Sequence, residues 1–180
     1  MSAPPGLRIR PYRPADHNAC RHLWGELVEH RGSLYGRGEA GGGQDRGDGR
    51  HGDSGVGFEE YLTRLELSGM WVAVLDDEVG GLVGLTLDGR AAAVEPVVVT
   101  RRLRGQGIGR ALLATVADEA RRRGLTQLTI SPPARDHHAL RSLHAAGFEA
   151  ISNLTLSYAL RATGRGAHEA LDVYDLHFST

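Results

Sequence analysis

The apolar residues of the first 68 positions repeat at strand or helix spacing in three segments. Residues 7–12 alternate apolar and polar side chains, which predicts a short strand closed by prolines. Asp16 can cap a helix over about residues 16–31, and residues 58–68 predict a second, shorter helix. The inward positions of these two helices are Leu23, Trp24, Leu27, Val28, Phe58, Tyr61, Leu62 and Leu65.

The segment between these helices has no such pattern. Residues 32–57 carry eleven glycines and almost no apolar side chains. A segment of this kind buries too little apolar surface to offset the conformational entropy that it loses on ordering. We therefore expect a flexible glycine-rich loop over residues 32–57, poorly ordered when no substrate is bound.

The middle of the chain is typical of three consecutive strands. Residues 70–75, 79–87 and 91–100 are mainly apolar, and the turn signals Asp76-Asp77 and Asp88-Gly89 separate them. Because short turns join antiparallel neighbours, these segments predict an antiparallel meander.

The second half of the chain changes to alternating helices and strands. Residues 107–123 predict a helix with apolar side chains at i, i+4 spacing, and Gly124 ends it. A strand is expected over 125–131, a helix over 136–146 and a last strand over 148–160.

This order of elements predicts an α/β (α+β) fold. One domain is expected over residues 1–160, with a mixed central sheet of about six or seven strands. The tail, residues 161–180, fits an extra strand or a short helix equally well.

Composition excludes several classes of protein. The formal net charge of −1 provides no basic surface for nucleic acid or a membrane. No apolar run approaches the roughly 18 residues of a membrane span, and the first residues lack the apolar core of a secretory signal. Cys20, the one cysteine, excludes an internal disulfide and is expected to be a small buried apolar side chain. We therefore expect a cytoplasmic protein with no nucleic-acid or membrane partner.

The absence of lysine restricts the chemistry further. All 21 Lys+Arg residues are arginine. Mechanisms that require a lysine amine are thereby excluded, including Schiff bases and the phosphate-binding lysine of a P-loop.

The hexapeptide RGQGIG, residues 104–109, lies between the third meander strand and the long helix. Glycines before a helix allow an anion to approach free amides at the positive end of the helix dipole. The dinucleotide fingerprint would need glycine at position 110, where Arg110 stands, and a P-loop would need lysine. The pattern R/Q-x-x-G-x-G/A is matched by Arg104, Gly107 and Gly109.

Two stretches together resemble the GNAT acetyltransferase superfamily. The stretch VEPVVVTRRLRGQGIGRALL is similar to motif A of that family, and ARDHHALRSLHAAGF is similar to its motif B. Their order and spacing agree with the family over residues 7–160. The resemblance implies a single GNAT-like domain whose fourth and fifth strands splay into a V, with acetyl-CoA as the co-substrate.

The resemblance also implies where the coenzyme binds. Amides of the glycine loop would surround its pyrophosphate, and the edge of the strand before that loop would bind pantetheine. Asp136 stands where the family often has asparagine, so it caps the helix or meets the coenzyme. The residues implied at the coenzyme are Val97, Val98, Val99, Arg104, Gly105, Gln106, Gly107, Ile108, Gly109, Arg110 and Asp136.

Prolines agree with a splay between the two strands. Pro96 lies inside a predicted strand, where it removes a hydrogen-bond donor and belongs at a bulge or an edge. Pro132-Pro133 ends the next strand. Neighbouring strands that cannot pair fully near these prolines are expected to separate.

Glu95 and His144 are the candidate catalytic residues. Glu95 is the one acid in AAAVEPVVV and adjoins the proposed thioester site, so we expect a partly desolvated general base, with a solvent-facing edge charge as the alternative. Many family members carry a motif B tyrosine at a position where this chain has Leu143 or His144. His144 is therefore the candidate acid for the thiolate, and a half-buried structural histidine is the alternative.

The acceptor is expected to be the primary amine of a small molecule. Acidic residues of the first helices and of the 32–57 loop could attract a cationic amine, and a solvated acidic surface is the alternative. These residues are Glu26, Glu29, Glu39, Asp45, Asp48, Glu59 and Glu60. The sequence does not choose among an amino acid, a polyamine, an antibiotic and a protein N-terminus.

Two classes of function stay open at this point. The first is an acetyl-CoA-dependent N-acetyltransferase. The second is a catalytically weak acyl-CoA-binding sensor or interaction module, because the motif B tyrosine is missing. No HExxH or Cys/His spacing predicts a metal site, and the sequence is compatible with a homodimer.

Overall fold

The computed structural model describes residues 3–39, 54–64, 69–156, 170–173 and 176–179. Its helices are α1 (His17–Glu39), α2 (Ser54–Arg64), α3 (Ile108–Arg122) and α4 (His137–His144). Its strands are β1 (Arg8–Pro11), β2 (Met70–Leu75), β3 (Glu78–Asp88), β4 (Ala91–Val99), β5 (Gln127–Thr129), β6 (Ala170–Val173) and β7 (Leu176–Ser179).

The central sheet is open and mixed, as the sequence predicts. Within the described residues it has five strands in the order β1-β2-β3-β4-β5. The first four are antiparallel neighbours, which confirms the meander, and β5 runs parallel to β4.

The expected last strand of this sheet is not found. Residues 148–156 form no strand, and residues 157–160 lie outside the described residues. A strand needs a neighbouring backbone edge, and β5 has only three residues with which another strand can pair. The tail instead contributes the antiparallel pair β6 and β7, which is a separate two-stranded sheet.

Both faces of the sheet are covered, and the alternation of side chains assigns each strand residue to one face. On one face α3 and α4 pack against a buried cluster: Trp71, Ala73, Val83, Leu85, Ala92, Val94, Leu103, Ile108, Leu112, Leu113, Val116 and Leu143. On the other face α1 and α2 pack against the second cluster: Cys20, Leu23, Phe58, Tyr61, Met70, Val72, Val74, Leu82 and Val98.

Cys20 is fully buried, as expected for an apolar side chain. Burial, reinforced by the nearby Asp16 carboxylate, raises the pKa of the Cys20 thiol to about 12. The thiol is therefore protonated at neutral pH and is not a nucleophile.

A bulge in β4 changes which face its side chains cover. Val83 pairs with Val97 and Leu85 with Val94, so Gly84 stands opposite both Glu95 and Pro96. Pro96 thus lies at a bulge, as predicted. Because one residue is inserted, the side chain of Val94 lies on the α3 face whereas that of Val98 lies on the α1 face.

The hydroxyl of Tyr61 in α2 fixes this bulge by donating to the carbonyl oxygen of Glu95 at 2.5 Å. Gly84 leaves the space for that hydroxyl, since a Cβ there would overlap the Tyr61 oxygen and the Glu95 carbonyl.

We expect Gly84→Ala to lower the free energy of unfolding by roughly 1–3 kcal/mol, the usual cost of forcing an extra carbon into a packed site. Urea denaturation measures this change. Gly32→Ala in α1 is the control, because its Cβ meets nothing within 4 Å and a helical Gly→Ala change stabilises by up to about 1 kcal/mol. A Gly84→Ala variant as stable as the parent would contradict the packing described for the bulge.

Helix α1 is longer than predicted, so the expected loop over residues 32–57 is wrong at both of its ends. The helix continues through the glycines to Glu39, and α2 already begins at Ser54, so only residues 40–53 of that segment lie outside the described residues. Each glycine costs a helix about 1 kcal/mol relative to alanine. Contacts of His30 and Leu34 with the segment before α4, described below, offset part of this cost.

Asp16 does not serve mainly as the cap of α1. Its carboxylate accepts from the Arg10 guanidinium at 2.7 and 2.8 Å and from the Arg13 amide at 2.8 Å. The hydrogen bonds from Arg10 hold the pKa of Asp16 below its usual value. The carboxylate therefore ties the turn before α1 to β1.

Candidate active site

The turn from β4 into α3 has the backbone that an anion site requires. Gly105 and Gly107 have φ angles of +75° and +83°, a left-handed region that favours glycine. Gly107 is the N-cap of α3 and supplies no side-chain acceptor to the first-turn amides. Those amides, with the positive end of the α3 dipole, remain available to an outside anion. The turn therefore fits the pyrophosphate of a coenzyme.

The edge of β4 that faces β5 is open beyond the middle of the strand. Pairing of β4 with β5 ends at Ala93 and Thr129. The Thr100 amide donates to Gly80 in β3, so by antiparallel alternation Val98 also faces β3, whereas Val97 and Val99 face the open side. Of the three valines predicted at the coenzyme, Val98 therefore points its backbone groups into the sheet.

Arg104 folds back onto this open edge. Its Nε donates to the Val99 carbonyl oxygen at 2.9 Å, and its Nη2 lies 3.9 Å from the Glu26 carboxylate. The guanidinium therefore connects the glycine turn to the strand before it. A contact of Arg104 with the coenzyme stays a prediction, and its amide donates to the Arg101 carbonyl oxygen at 3.4 Å.

Glu26 of α1 holds the start of the same turn. Its two carboxylate oxygens accept from the Thr100 hydroxyl at 2.7 Å and from the Arg101 amide at 2.8 Å. The helix that covers one face of the sheet is thereby joined to the entrance of the glycine turn. Glu26 was expected to attract a cationic acceptor, but its carboxylate is already engaged within the protein.

Other candidate acids for the acceptor are also paired. Glu29 forms an ion pair with Arg101 at 2.8 Å, and Glu59 accepts from His17 at 2.9 Å. Glu60 is exposed, and the predicted Asp45 and Asp48 lie outside the described residues, as does the side chain of Glu39.

Glu95 and His144 both have exposed side chains. The partial desolvation expected for the Glu95 carboxylate is not observed, because the bulge buries the carbonyl of Glu95 and directs its side chain to solvent. His144 lies in the last turn of α4, at the opposite end from Asp136. No hydrogen bond joins Glu95 to His144 in the described residues, so their roles stay predictions.

Asp136 is the N-cap of α4, one of the two roles expected for it. Its Oδ1 accepts from the Ala139 amide at 2.9 Å, and its Oδ2 lies 2.7 Å from Nε2 of His30 in α1. The neighbouring Arg135 donates to the carbonyl of Leu34, also in α1, at 3.3 Å. Two contacts thus fasten the second half of α1 to the start of α4.

The ionisation of Asp136 follows from these partners. Burial opposes its charge, but the Ala139 amide and the hydrogen bond and charge of His30 together hold the pKa of Asp136 below its usual value. The charged form is therefore the one that folding favours.

We expect Asp136→Ala to lower the free energy of unfolding by roughly 0.5–2 kcal/mol, the usual cost of losing an N-cap. Asp136→Asn keeps a cap acceptor and removes only the charge that faces His30, so it should cost less. Because the folded-state pKa of Asp136 is lowered, the charge stabilises the protein above the unfolded pKa of about 3.9 and ceases to do so as pH falls through the folded value.

Urea denaturation at pH 7 and at a pH below the folded-state pKa of Asp136 tests both parts. The parent and Asp136→Asn should converge in stability at the lower pH. Equal loss in Asp136→Asn and Asp136→Ala at pH 7 would contradict the assignment of the cap.

Among the described residues, no three His, Cys, Asp or Glu side chains come together as they would around a metal ion. None of the helices described is both long and apolar enough to cross a membrane.

The chain belongs to the GNAT acetyltransferase family. The family described as "Acetyltransferase (GNAT) family" matches residues 42–148, more than half of the 180 residues. No curated protein sequence matches the chain significantly.

Solved structures share the fold at low identity. A transcriptional regulator from Bacillus halodurans is 21% identical with a TM-score of 0.60, and the match covers 86% of this chain and 99% of that one. An aminoglycoside acetyltransferase from an uncultured soil metagenomic sample, in complex with sisomicin, is 16% identical with a TM-score of 0.58, covering 87% and 97%. The ribosomal-protein-S18-alanine N-acetyltransferase from Escherichia coli is 16% identical with a TM-score of 0.55, covering 78% and 76%.

Proposed function

We propose that the chain is an acetyl-CoA-dependent N-acetyltransferase that acts on a primary amine. The observation that carries the proposal is the glycine turn at the N-terminus of α3 next to the open edge of β4. Membership of the GNAT family supports acetyl transfer in general. The turn offers amides to the pyrophosphate, and the open edge offers backbone groups to the pantetheine arm.

The residues of β4 have defined tasks in this proposal. The backbone N–H of Val97 or Val99 polarises the thioester carbonyl as its oxygen gains charge. Glu95 removes a proton from the amine, directly or through a water, which the exposure of its carboxylate favours. The amine nitrogen then bonds to the carbonyl carbon while the carbon–sulfur bond breaks.

His144 supplies the proton that the leaving thiolate needs. Its imidazole stands at one of the two positions where the family often has the motif B tyrosine, and it lies exposed in the last turn of α4.

Two acceptor classes are compared here, a small amine and a peptide N-terminus. The metagenomic neighbour is named for aminoglycosides and the Escherichia coli neighbour for an alanine of a ribosomal protein. The pairing of Glu26, Glu29 and Glu59 within the protein weakens the argument for a strongly cationic acceptor. A small molecule with one primary amine is therefore the acceptor class that we propose.

Thiol release with a panel of amines tests the proposal. The panel contains an aminoglycoside, a polyamine, single amino acids and a peptide with N-terminal alanine. At least one amine should raise thiol release above the rate without acceptor. Binding of acetyl-CoA without amine-dependent release by any member would favour the alternative, an acyl-CoA-binding sensor.

A further inference from the structure

A groove of about 620 Å³ separates the first turn of α3 from α4. It is lined by Arg110, His137, His138, Arg141, Ser142 and Ala145. Arg110 belongs to α3, three residues after the N-cap Gly107. The other five residues belong to α4 or, for Ala145, to its C-cap. The groove therefore adjoins the glycine turn to which the pyrophosphate is assigned.

The spacing of the α4 residues explains why they share this groove. Positions 137, 138, 141, 142 and 145 lie on one side of a helix, since residues three and four apart are neighbours on its surface. The opposite side of α4 contributes the buried Leu143 to the core. The orientation of α4 is thus fixed by packing, and the groove-lining side is held towards α3.

Every ionisable side chain that lines the groove is basic. Within the described part of the chain, neither Arg110 nor Arg141 has a carboxylate partner. By contrast, Arg101 and Arg102 in the preceding turn pair with Glu29 and Glu78. Asp136, the acid nearest in sequence to the α4 side of the groove, is hydrogen-bonded to His30 and Ala139, and His138 is the groove residue whose charge it feels.

We propose that this groove binds the 3′-phosphate of coenzyme A, which rests on the proposed function. Two arginines, two histidines and the Ser142 hydroxyl suit a compact dianion, because guanidinium groups form charge-assisted hydrogen bonds to phosphate oxygens. Coenzyme A carries a pyrophosphate and a separate phosphate monoester on its ribose. Because the pyrophosphate is assigned to the glycine turn, the phosphate monoester is assigned to the basic groove beside that turn.

The proposal makes Arg141 a residue that distinguishes coenzyme A from 3′-dephospho-coenzyme A. Arg141 is exposed on α4, so Arg141→Gln should fold as the parent does. The loss of one charge-assisted contact should weaken coenzyme A binding about tenfold, which corresponds to about 1.4 kcal/mol.

Calorimetry with both ligands tests this proposal. The parent should bind coenzyme A more tightly than 3′-dephospho-coenzyme A, and Arg141→Gln should lose affinity for the first while changing affinity for the second less than about twofold. Arg141→Lys should restore most of the discrimination. Arg90→Gln, an exposed arginine in the β3–β4 turn, removes the same charge elsewhere and should leave both affinities unchanged.

The outcomes separate this proposal from the proposed function. If the parent binds both ligands with equal affinity, or if Arg141→Gln lowers the affinity for both equally, the coenzyme binds but the groove does not contact its 3′-phosphate. If the parent binds neither ligand, the coenzyme assignment itself fails and the groove assignment fails with it.

Discussion

Gly109→Val is expected to abolish measurable binding of coenzyme A while the domain remains folded. Gly109 lies in the first turn of α3, and its φ angle is not in the left-handed region. A Cβ there would meet Val99 at 3.7 Å, an ordinary van der Waals contact, so the protein itself tolerates the added carbon. The branched side chain would instead occupy the space over the amides that the pyrophosphate needs.

Calorimetry of the variant and the parent measures the loss, and circular dichroism checks the fold. Gly32→Val is the matched control, because a Cβ at Gly32 meets nothing within 4 Å and the residue lies in α1, far from the turn in sequence. Gly107→Val is less informative, since a β-branched residue at its φ of +83° is strained whatever binds. Binding by Gly109→Val within about twofold of the parent would place the coenzyme elsewhere.

Glu95→Gln is expected to lower kcat by roughly 10²–10⁴, the usual contribution of a positioned general base. Coenzyme affinity should stay nearly unchanged, because the backbone and not this side chain holds the coenzyme. His144→Phe should cost less, since the leaving thiolate, whose conjugate thiol has a pKa near 8.5, leaves readily and can be protonated by water.

Steady-state kinetics with the best acceptor of the panel ranks the two variants. Glu149→Gln is the control, since it removes an exposed carboxylate that lies outside β4 and is not among the acids considered for the acceptor. Full activity in Glu95→Gln with complete loss in His144→Phe would invert the assignment and make the histidine the base. If neither change lowers kcat, proximity and orientation alone account for the rate, and the amine binds already neutral.

The sheet and α3 could be predicted because the apolar residues in their sequences are the residues that are buried in the fold. The apolar runs of β2 and β4 and the i, i+4 stripe of α3 supply residues of the two buried clusters. The bulge was also foreseeable, because Pro96 cannot donate to a neighbouring strand.

The second half of α1 and the missing last strand could not be predicted in this way. Gly32, Gly36 and Gly38 argue against a helix, yet α1 passes through them to Glu39. Its partners Arg135 and Asp136 are about a hundred positions further along the chain, and local propensity contains no information about them. The segment after Gly147 is apolar enough for a strand, but pattern alone does not supply a neighbouring edge.

The backbone of the candidate site could be predicted from the sequence, but the side chains that hold it in place could not. The glycine turn follows from the spacing of Gly105, Gly107 and Gly109 before an amphipathic helix. Tyr61 was identified as an inward position of α2, but nothing in the sequence indicates that its hydroxyl bonds to the Glu95 carbonyl. The contacts of Glu26 with the turn are equally long-range, and an acid on a helix is most often solvated.

Backbone amide chemical shifts measured during titration with coenzyme A test whether the glycine turn and the open edge of β4 bind the coenzyme. We expect large shifts for the amides of residues 105–110 and for Val97 and Val99, with little change in β1 or in the β6–β7 pair. Saturation of the protein with coenzyme A while the amides of residues 105–110 keep their shifts would contradict this expectation.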